Sequence, residues 1–324
     1  MSTRVPGRRD FLVAAGGAAF AGLAAAQGFA AKAVKIVVPY AAGGGLDLVA
    51  RVVGERMSRE LRQPVIVDNR PGANGVLATE AVARSAADGN TLVMGVPATL
   101  AINPNLYKLS FDPQKDLQAI AQLALAHFVL VTASSSGITS LVQLVAEAKA
   151  HPGKYSFASY GNGSAPHLAG QMLRNLAGAD LVHVPYKGSN AAMPDVLSGR
   201  VSVMFDVVAN VQPQVQAGAL RVLAAAGRTV PPQFPQAPLA SSVLPGLALD
   251  GWVGLFGPSG MPAAVVERLQ GAAKVAMADP ALAQRLTQLG FDVQAAGPDA
   301  MQQTVRRDTV AYAAVIRSAG LKIE

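Results

Sequence analysis

Two short glycine-rich runs hold the residues best placed to do chemistry. The first, Pro39-Tyr40-Ala41-Ala42-Gly43-Gly44-Gly45-Leu46-Asp47, separates a β-branched run from an amphipathic helical pattern. Glycines at such a junction let the backbone turn sharply and aim several N–H groups outward, beside the partial positive charge of a helix N-terminus. A carboxylate or phosphate suits that environment. No dinucleotide fingerprint is present, because counting from Gly43 puts Leu48 where the third glycine belongs, and no Lys-Ser/Thr pair follows for a P-loop. A plain tight turn in which Asp47 only caps helical N–H groups uses the same residues.

The second run is Ser159-Tyr160-Gly161-Asn162-Gly163-Ser164-Ala165-Pro166-His167. Ser164 is a cap-type residue and Pro166 suits a first helical turn, so this segment also presents unpaired donors at a helix start. Gly163-Ser164-Ala165-Pro166 lacks the spacing of a nucleophile elbow. His167 either donates to a ligand or serves the loop's own hydrogen bonding. Lys187, in Pro185-Tyr186-Lys187-Gly188-Ser189, either pairs with a ligand carboxylate or lies along the surface. Asp206, ending a strand, either accepts from a ligand amine or fixes a neighbouring loop. His127, His151, His167 and His183 show no helical i, i+4 pair and no cysteine companion, so no metal site is expected.

These loops need elements to hold them. Strand-type runs at 34–38, 65–67 and 91–96 alternate with helical patterns at 46–61 and 75–84, the signature of a parallel α/β lobe. In the first helix Leu46, Val49, Val53, Met57 and Leu61 share one face. A further strand at 128–132 leads to the Ser134-Ser135-Ser136-Gly137 turn, where the chain is expected to cross to a second lobe. There the alternation restarts: strands at 155–158, 181–185, 201–207 and 221–226, helices at 164–176 and 189–197. Proline-rich residues 230–246 then lead to a return strand at 251–256 with the sole tryptophan, Trp252. Two closing helices, one with Val266, Leu269, Ala273 and Met277 and one with Met301, Val305, Tyr312 and Ile316, are expected over the first lobe. The domain reading is lobe one at 33–132 and 252–324, lobe two at 133–251, with the cleft between them.

The chain has 324 residues, 51% hydrophobic and 15% charged, which excludes a disordered chain and fits two lobes. It has no cysteine, which removes disulfides and a lipidated N-terminal Cys. The net charge of +7 comes without a basic cluster, and aromatics are only 5%, so nucleic acid is not an expected partner. Arg4, Arg8 and Arg9 precede an uncharged run from Phe11 to Ala31, with a small-residue cleavage site at Ala24-Ala25-Ala26. Residues 1–26 therefore read as a signal peptide, and Arg8-Arg9-Asp10-Phe11-Leu12 as its twin-arginine motif. The expected location is the periplasm.

Together these residues resemble the extracytoplasmic solute receptors of tripartite tricarboxylate transporters, the Bug proteins. The resemblance rests on Ile36-Val37-Val38-Pro39-Tyr40 with Gly43-Gly44-Gly45-Leu46-Asp47, on Asp68-Asn69-Arg70-Pro71-Gly72-Ala73, and on Asp88-Gly89-Asn90-Thr91-Leu92. It continues through Ala101-Ile102-Asn103-Pro104, Gly161-Asn162-Gly163-Ser164, His183-Val184-Pro185-Tyr186-Lys187-Gly188-Ser189, Met204-Phe205-Asp206 and Trp252-Val253-Gly254-Leu255-Phe256-Gly257-Pro258. It implies an α/β, two-lobed type II periplasmic binding fold that closes on a small carboxylate without chemistry or cofactor. The residues it places at the ligand are Tyr40, Ala42, Gly45, Asp47, Thr99, Ser159, Asn162, Gly163, Ser164, His167 and Asp206, to which the reading of the loops adds Gly43, Gly44, Gly161 and Lys187. Leu100 stands where such receptors often have histidine, which makes that side of the pocket more apolar.

The implied partners are the ligand and the membrane subunits of a transporter, served by a monomeric receptor. Two other classes stay open on sequence: a ligand sensor for a membrane signalling system, and an exported hydrolase, although no nucleophile–base pair announces itself. The export reading is tested by an Arg8→Lys, Arg9→Lys variant. Cell fractionation is expected to find it retained in the cytoplasm, whereas unchanged export would remove the twin-arginine assignment.

Overall fold

The structure, a computed structural model, describes residues 32–318. The signal segment and its cleavage site thus lie outside the described residues. Strand β1 (Val34–Val38) pairs in parallel with β2 (Val65–Asn69) on one side and β3 (Thr91–Gly95) on the other. Helices α1 (Gly45–Leu61) and α2 (Val76–Ala83) make the crossovers. The face of α1 carrying Val49, Val53, Met57 and Leu61 is buried on the sheet, as its spacing predicts. Gly54 lets the helix come close: a Cβ there would lie 3.2 Å from Val65.

The long strand β4 (Leu117–Ala133) joins the two halves of the molecule. Between Leu117 and His127 it pairs antiparallel with β9 (Asp250–Pro258), and on its other edge with β10 (Phe291–Ala296). From Phe128 onward it pairs instead with β7 (Val203–Val207) and β8 (Leu220–Ala225). Strands β5 (Tyr155–Ser159) and β6 (Leu181–Pro185) complete the second half, parallel to β7. The first half thus runs β2-β1-β3-β9-β4-β10 and the second β6-β5-β7-β4-β8.

The sequence places the first crossing at the Ser134–Gly137 turn, but β4 changes partners earlier, between His127 and Phe128. The stretch before that point is rich in Ala, Leu and Gln, which are good helix formers and carry no strand pattern. Burial between two neighbouring strands makes it β. The second half carries helices α3 (Leu141–Ala150), α4 (Ala165–Ala177), α5 (Ser189–Leu197) and α6 (Val208–Gln216). After β9 come α7 (Ala263–Met277), α8 (Pro280–Gln288), β10, and α9 (Pro298–Ser318).

Each half has its own apolar core, one around Ile36, Met57 and Leu255, the other around Phe157, Leu168 and Phe205. Helix α9 departs from expectation, because it covers more than the first half. Met301 and Val305 pack with Trp252 and Phe256, while Tyr312 and Ile316 join the core of the second half. Trp252 Nε1–H donates to Asp308 at 2.8 Å, and Tyr312 O–H to the Asp250 carbonyl at 3.4 Å, so α9 straddles the crossing.

Gly170, in α4, lies against the ring of Phe157, which is itself stacked on His183. A Cβ at position 170 would overlap that ring. Gly170→Ala is therefore expected to cost about 1–3 kcal/mol through overpacking, read as a lower denaturant midpoint with an unchanged slope.

Candidate functional site

All five parallel strands that end in loops of interest, β1, β3, β5, β6 and β7, point their C-terminal ends toward the seam between the halves, where open α/β sheets bind ligands. The loop after β1 is shaped from within. Asp47 Oδ2 accepts from Gly43 N–H and from Arg51 Nε, both at 2.9 Å. Burial raises the Asp47 pKa, yet these donors and Asn69 outweigh it and hold the carboxyl below its usual range. Asp47 is therefore buried bracing, and it takes up the Gly43 N–H. Ala41, Ala42 and Gly43 remain exposed. The N–H groups of Gly45 and Leu46 open α1 and have no carbonyl to bond inside it. Tyr40 is half-buried, and burial together with nearby Tyr107 raises its hydroxyl pKa.

After β3, Thr99 is buried and its hydroxyl is spent on the Val96 backbone, donating to the carbonyl at 3.0 Å and accepting from the N–H at 3.2 Å. Leu100 is buried against Gly95, away from solvent.

The loop after β5 is the most tightly determined. Gly161 (φ +123°) and Gly163 (φ +75°) adopt backbone angles that glycine alone takes readily. Gly161 N–H donates to Ser159 Oγ at 3.1 Å, and Gly163 N–H to His167 Nδ1 at 3.0 Å. Ser164 caps α4: its Oγ donates to the Gly161 carbonyl at 2.7 Å and accepts from His167 N–H at 3.4 Å. The side chains of Ser159, Ser164 and His167 are buried and hold the loop together. The loop presents the exposed Asn162 and the N–H of Ala165 in the first turn of α4.

Beneath the loop, the rings of Phe157, His183 and His167 stack, with the two imidazoles 4.0 Å apart. His167 Nδ1 must keep its lone pair to accept from Gly163, and burial agrees, pushing both imidazoles down to about 4. His183 Nε2 lies 2.7 Å from Ser159 Oγ. That is the spacing of a nucleophile and its base, but Ser159 is fully buried and its Oγ is engaged by Gly161. Among the described residues no carboxylate supports His183.

Asp206 is fully buried at the end of β7 and accepts from four donors: Tyr160 O–H, Ser189 O–H, Val207 N–H at 2.7 Å and Asn210 Nδ2 at 2.8 Å. Burial pushes its carboxyl up to about 6 against those donors. Of the two roles open on sequence, the geometry matches the fixing of neighbouring loops. Lys187 is exposed and makes no ion pair among the described residues. Tyr107, Tyr160, His183, Ser189 and Asn210 join these contacts without a ligand-type signature of their own in sequence, although Tyr160, His183 and Ser189 lie within the quoted motifs.

The two sets of loops face each other. A Cβ at Gly45 would lie 3.3 Å from Ala209 of α6, and Tyr107 O–H donates to the Asn162 carbonyl at 3.0 Å. The start of α1 thus meets α6 of the other half, the loop after β5 meets the Tyr107 segment, and no guanidinium or ammonium stands in Gly43–Asp47 or Gly161–His167.

The profile of the tripartite tricarboxylate transporter family receptors matches residues 49–321, and the chain belongs to that family. It is 31% identical over 312 residues to Protein BugT of Bordetella pertussis, covering 94% of this chain and 96% of BugT. Among solved structures it is similar to the periplasmic binding protein BugD, with TM-score 0.85, 30% identity and coverage of 91% of this chain and 99% of that one. MatC of Rhodopseudomonas palustris, solved with bound malate, gives TM-score 0.83 and 30% identity over 88% of this chain and 99% of MatC. R. palustris Rpa4515, solved with adipate, gives 0.86 and 28% over 90% and 98%. The chain is thus a two-lobed periplasmic solute-binding protein of the tricarboxylate family, and its class binds substrates without transforming them.

The buried titratable groups carry opposite pH signatures. Asp206 holds its proton more tightly in the folded state than an ordinary aspartate does. Its contribution is complete below about pH 4 and is lost as the pH rises through about 6. His167 and His183 contribute fully above about pH 6.5, and that contribution is lost as the pH falls through about 4. Thermal melts of the parent and Asp206→Asn between pH 4 and 7 separate the two. The melting temperature of the parent relative to the variant is expected to fall as pH rises, and a constant difference would mean that Asp206 is ionised throughout.

Proposed function

We propose that this protein captures a small carboxylate between its halves and delivers it to the membrane subunits of a tripartite tricarboxylate transporter. The observation that carries the reading is the exposed loop after β1, whose helix start at Gly45 meets α6 of the other half, together with the exposed Asn162 beside the helix start at Ala165. Backbone dipoles and N–H groups at such positions stabilise a carboxylate. The adipate and malate seen in Rpa4515 and MatC support the ligand class.

On this reading Tyr40, Ala42, Gly43, Gly44, Gly45, Gly161, Asn162 and Gly163 form the surface that meets the ligand. Asp47, Thr99, Ser159, Ser164, His167 and Asp206 give that surface its shape, and Lys187 is at most auxiliary. The two lobes that close on it meet where β4 changes partners between His127 and Phe128, a few residues before the boundary at 132/133 that the sequence predicts. A ligand touching both lobes binds the closed state better and so shifts the hinge toward it. One chain supplies both jaws, so a monomer suffices. Export by the twin-arginine signal at Arg8-Arg9 delivers it to the periplasm.

The test is a thermal-shift screen of malate, adipate, citrate, aromatic acids and amino acids. A ligand at 100 times its Kd stabilises by about 2.7 kcal/mol, and at least one carboxylate is expected to do so. Gly44→Val then locates the site. Gly44 has an ordinary backbone angle, and a Cβ there meets nothing closer than the Ala41 carbonyl at 3.7 Å, so the fold tolerates it. Its methyl groups would cover the helix start. Calorimetry is expected to show binding weakened about 10- to 150-fold, the worth of one hydrogen bond to a charged group, with the ligand-free melting temperature unchanged. Parent-like affinity would move the site elsewhere.

A further inference from the structure

The geometry points to Tyr107 as a positioning residue that latches the two halves together and so slows the escape of bound ligand. The inference rests on the reading of the seam as a closing cleft. Tyr107 follows the tight turn at Ala98–Ile102 and the helical turn at Asn103–Leu106, a segment tied to Asn74 of the first half while its Ala101, Ile102 and Leu106 pack against the core of the second. That segment is firmly tied down. Asn103 is fully buried, its Nδ2 donates to the Asn74 carbonyl at 3.0 Å, and Asn74 Nδ2 donates back to Asn103 Oδ1 at 2.9 Å. Asn105 Nδ2 reaches the carbonyls of Ala101 and of Thr309 in α9, at 2.9 and 3.1 Å. The Tyr107 N–H closes the turn on Asn103 at 2.9 Å.

The acceptor is equally fixed from the other side. The peptide between Asn162 and Gly163 turns its N–H inward to His167, which directs its carbonyl outward, toward Tyr107. Gly161 is anchored on Ser159 and Ser164 is anchored on Gly161, so the carbonyl cannot swing to follow a retreating partner. A hydrogen bond between these two pre-oriented groups adds to that packing, and it holds the segment anchored on Asn74 against the loop after β5 only while the halves are together. Tyr107 also neighbours Tyr40, whose hydroxyl it influences, and this links the latch to the loop after β1. Tyr107 makes no claim on the ligand. It acts through Asn162 and the loop that carries it.

Tyr107→Phe removes the hydroxyl and keeps the ring. The chain has no cysteine, so Leu77→Cys in α2 and Val182→Cys in β6, both exposed positions, give two specific spin-label sites on different halves. The distance distribution between them reports closure without ligand. Loss of one neutral hydrogen bond is expected to lower the ratio of closed to open molecules about fivefold. With adipate or malate as probe, Trp252 fluorescence in stopped flow is expected to show the dissociation rate raised about fivefold and the association rate unchanged. A residue that served only the fold would lower the melting temperature without moving either readout. Unchanged distances together with an unchanged dissociation rate overturn the proposal. Unchanged distances in a protein that binds neither acid also overturn it. Binding of no carboxylate at all defeats the functional reading alone, because the label distances still report on Tyr107.

Discussion

Strand β4 is the constraint on which the arrangement depends. Its backbone groups are satisfied by β9 and β10 up to His127 and by β7 and β8 beyond it, so one stretch of chain belongs to both halves. Buried backbone donors and acceptors must stay paired, which leaves the strand little freedom within either half. Asp250 pairs with His127 where the partners change, so the outgoing and returning chains cross side by side. Helix α9 spans the crossing from behind, with Met301 seated in one core and Ile316 in the other.

The seam loops differ from a salt-bridge site in where their polar side chains are spent. Asp47, Ser159, Ser164, His167 and Asp206 all point into the protein and hold backbone in place, Asp206 also gathering the side chains of Tyr160, Ser189 and Asn210. What the loops leave facing outward is mostly peptide dipoles, neutral groups that carry no charged hydration shell. A buried ion pair bears a desolvation penalty that can exceed its Coulombic gain. Pre-oriented dipoles avoid much of that cost and lose little entropy, since glycine angles and internal bonds have already fixed them. The buried Asp206 shows the other side of this economy, because its own carboxyl needs four donors.

Much of this was legible in the sequence, for reasons that vary with the element. Helix α1 followed from the spacing of Val49, Val53, Met57 and Leu61, and the two seam loops from their glycines and cap residues. Residues 117–127 were not legible, because Ala, Leu and Gln favour a helix and only burial between β9 and β10 makes them a strand. The reach of α9 was hidden too: an apolar stripe shows that a helix packs, but Met301 and Ile316 give no sign that they pack on different cores. Asp206 and His167 were visible as chemical groups, whereas their direction was not. Spacing along a chain places a side chain at a loop, and the surrounding donors decide which way it turns. Tyr107 lies outside every quoted motif, because its partner is a backbone carbonyl, which has no signature in sequence.

The order of the strands also bears on how the chain reaches this structure. Residues of the second half are nearly contiguous, and β5 to β8 can pair as they emerge. The first half is interrupted: β3 holds β1 on one edge, but Val93 must wait for Phe256 before its other edge is covered. Long-range pairings of this kind form slowly, since loop closure must be met before the contact rewards it. Synthesis from the N-terminus therefore supplies all the strands of the second half first, its core still awaiting Tyr312 and Ile316. During that interval β3 is an open edge able to recruit a strand from another chain. The arrival of β9 seals that edge and pairs β4 along its length, and β10 then covers the other edge of β4.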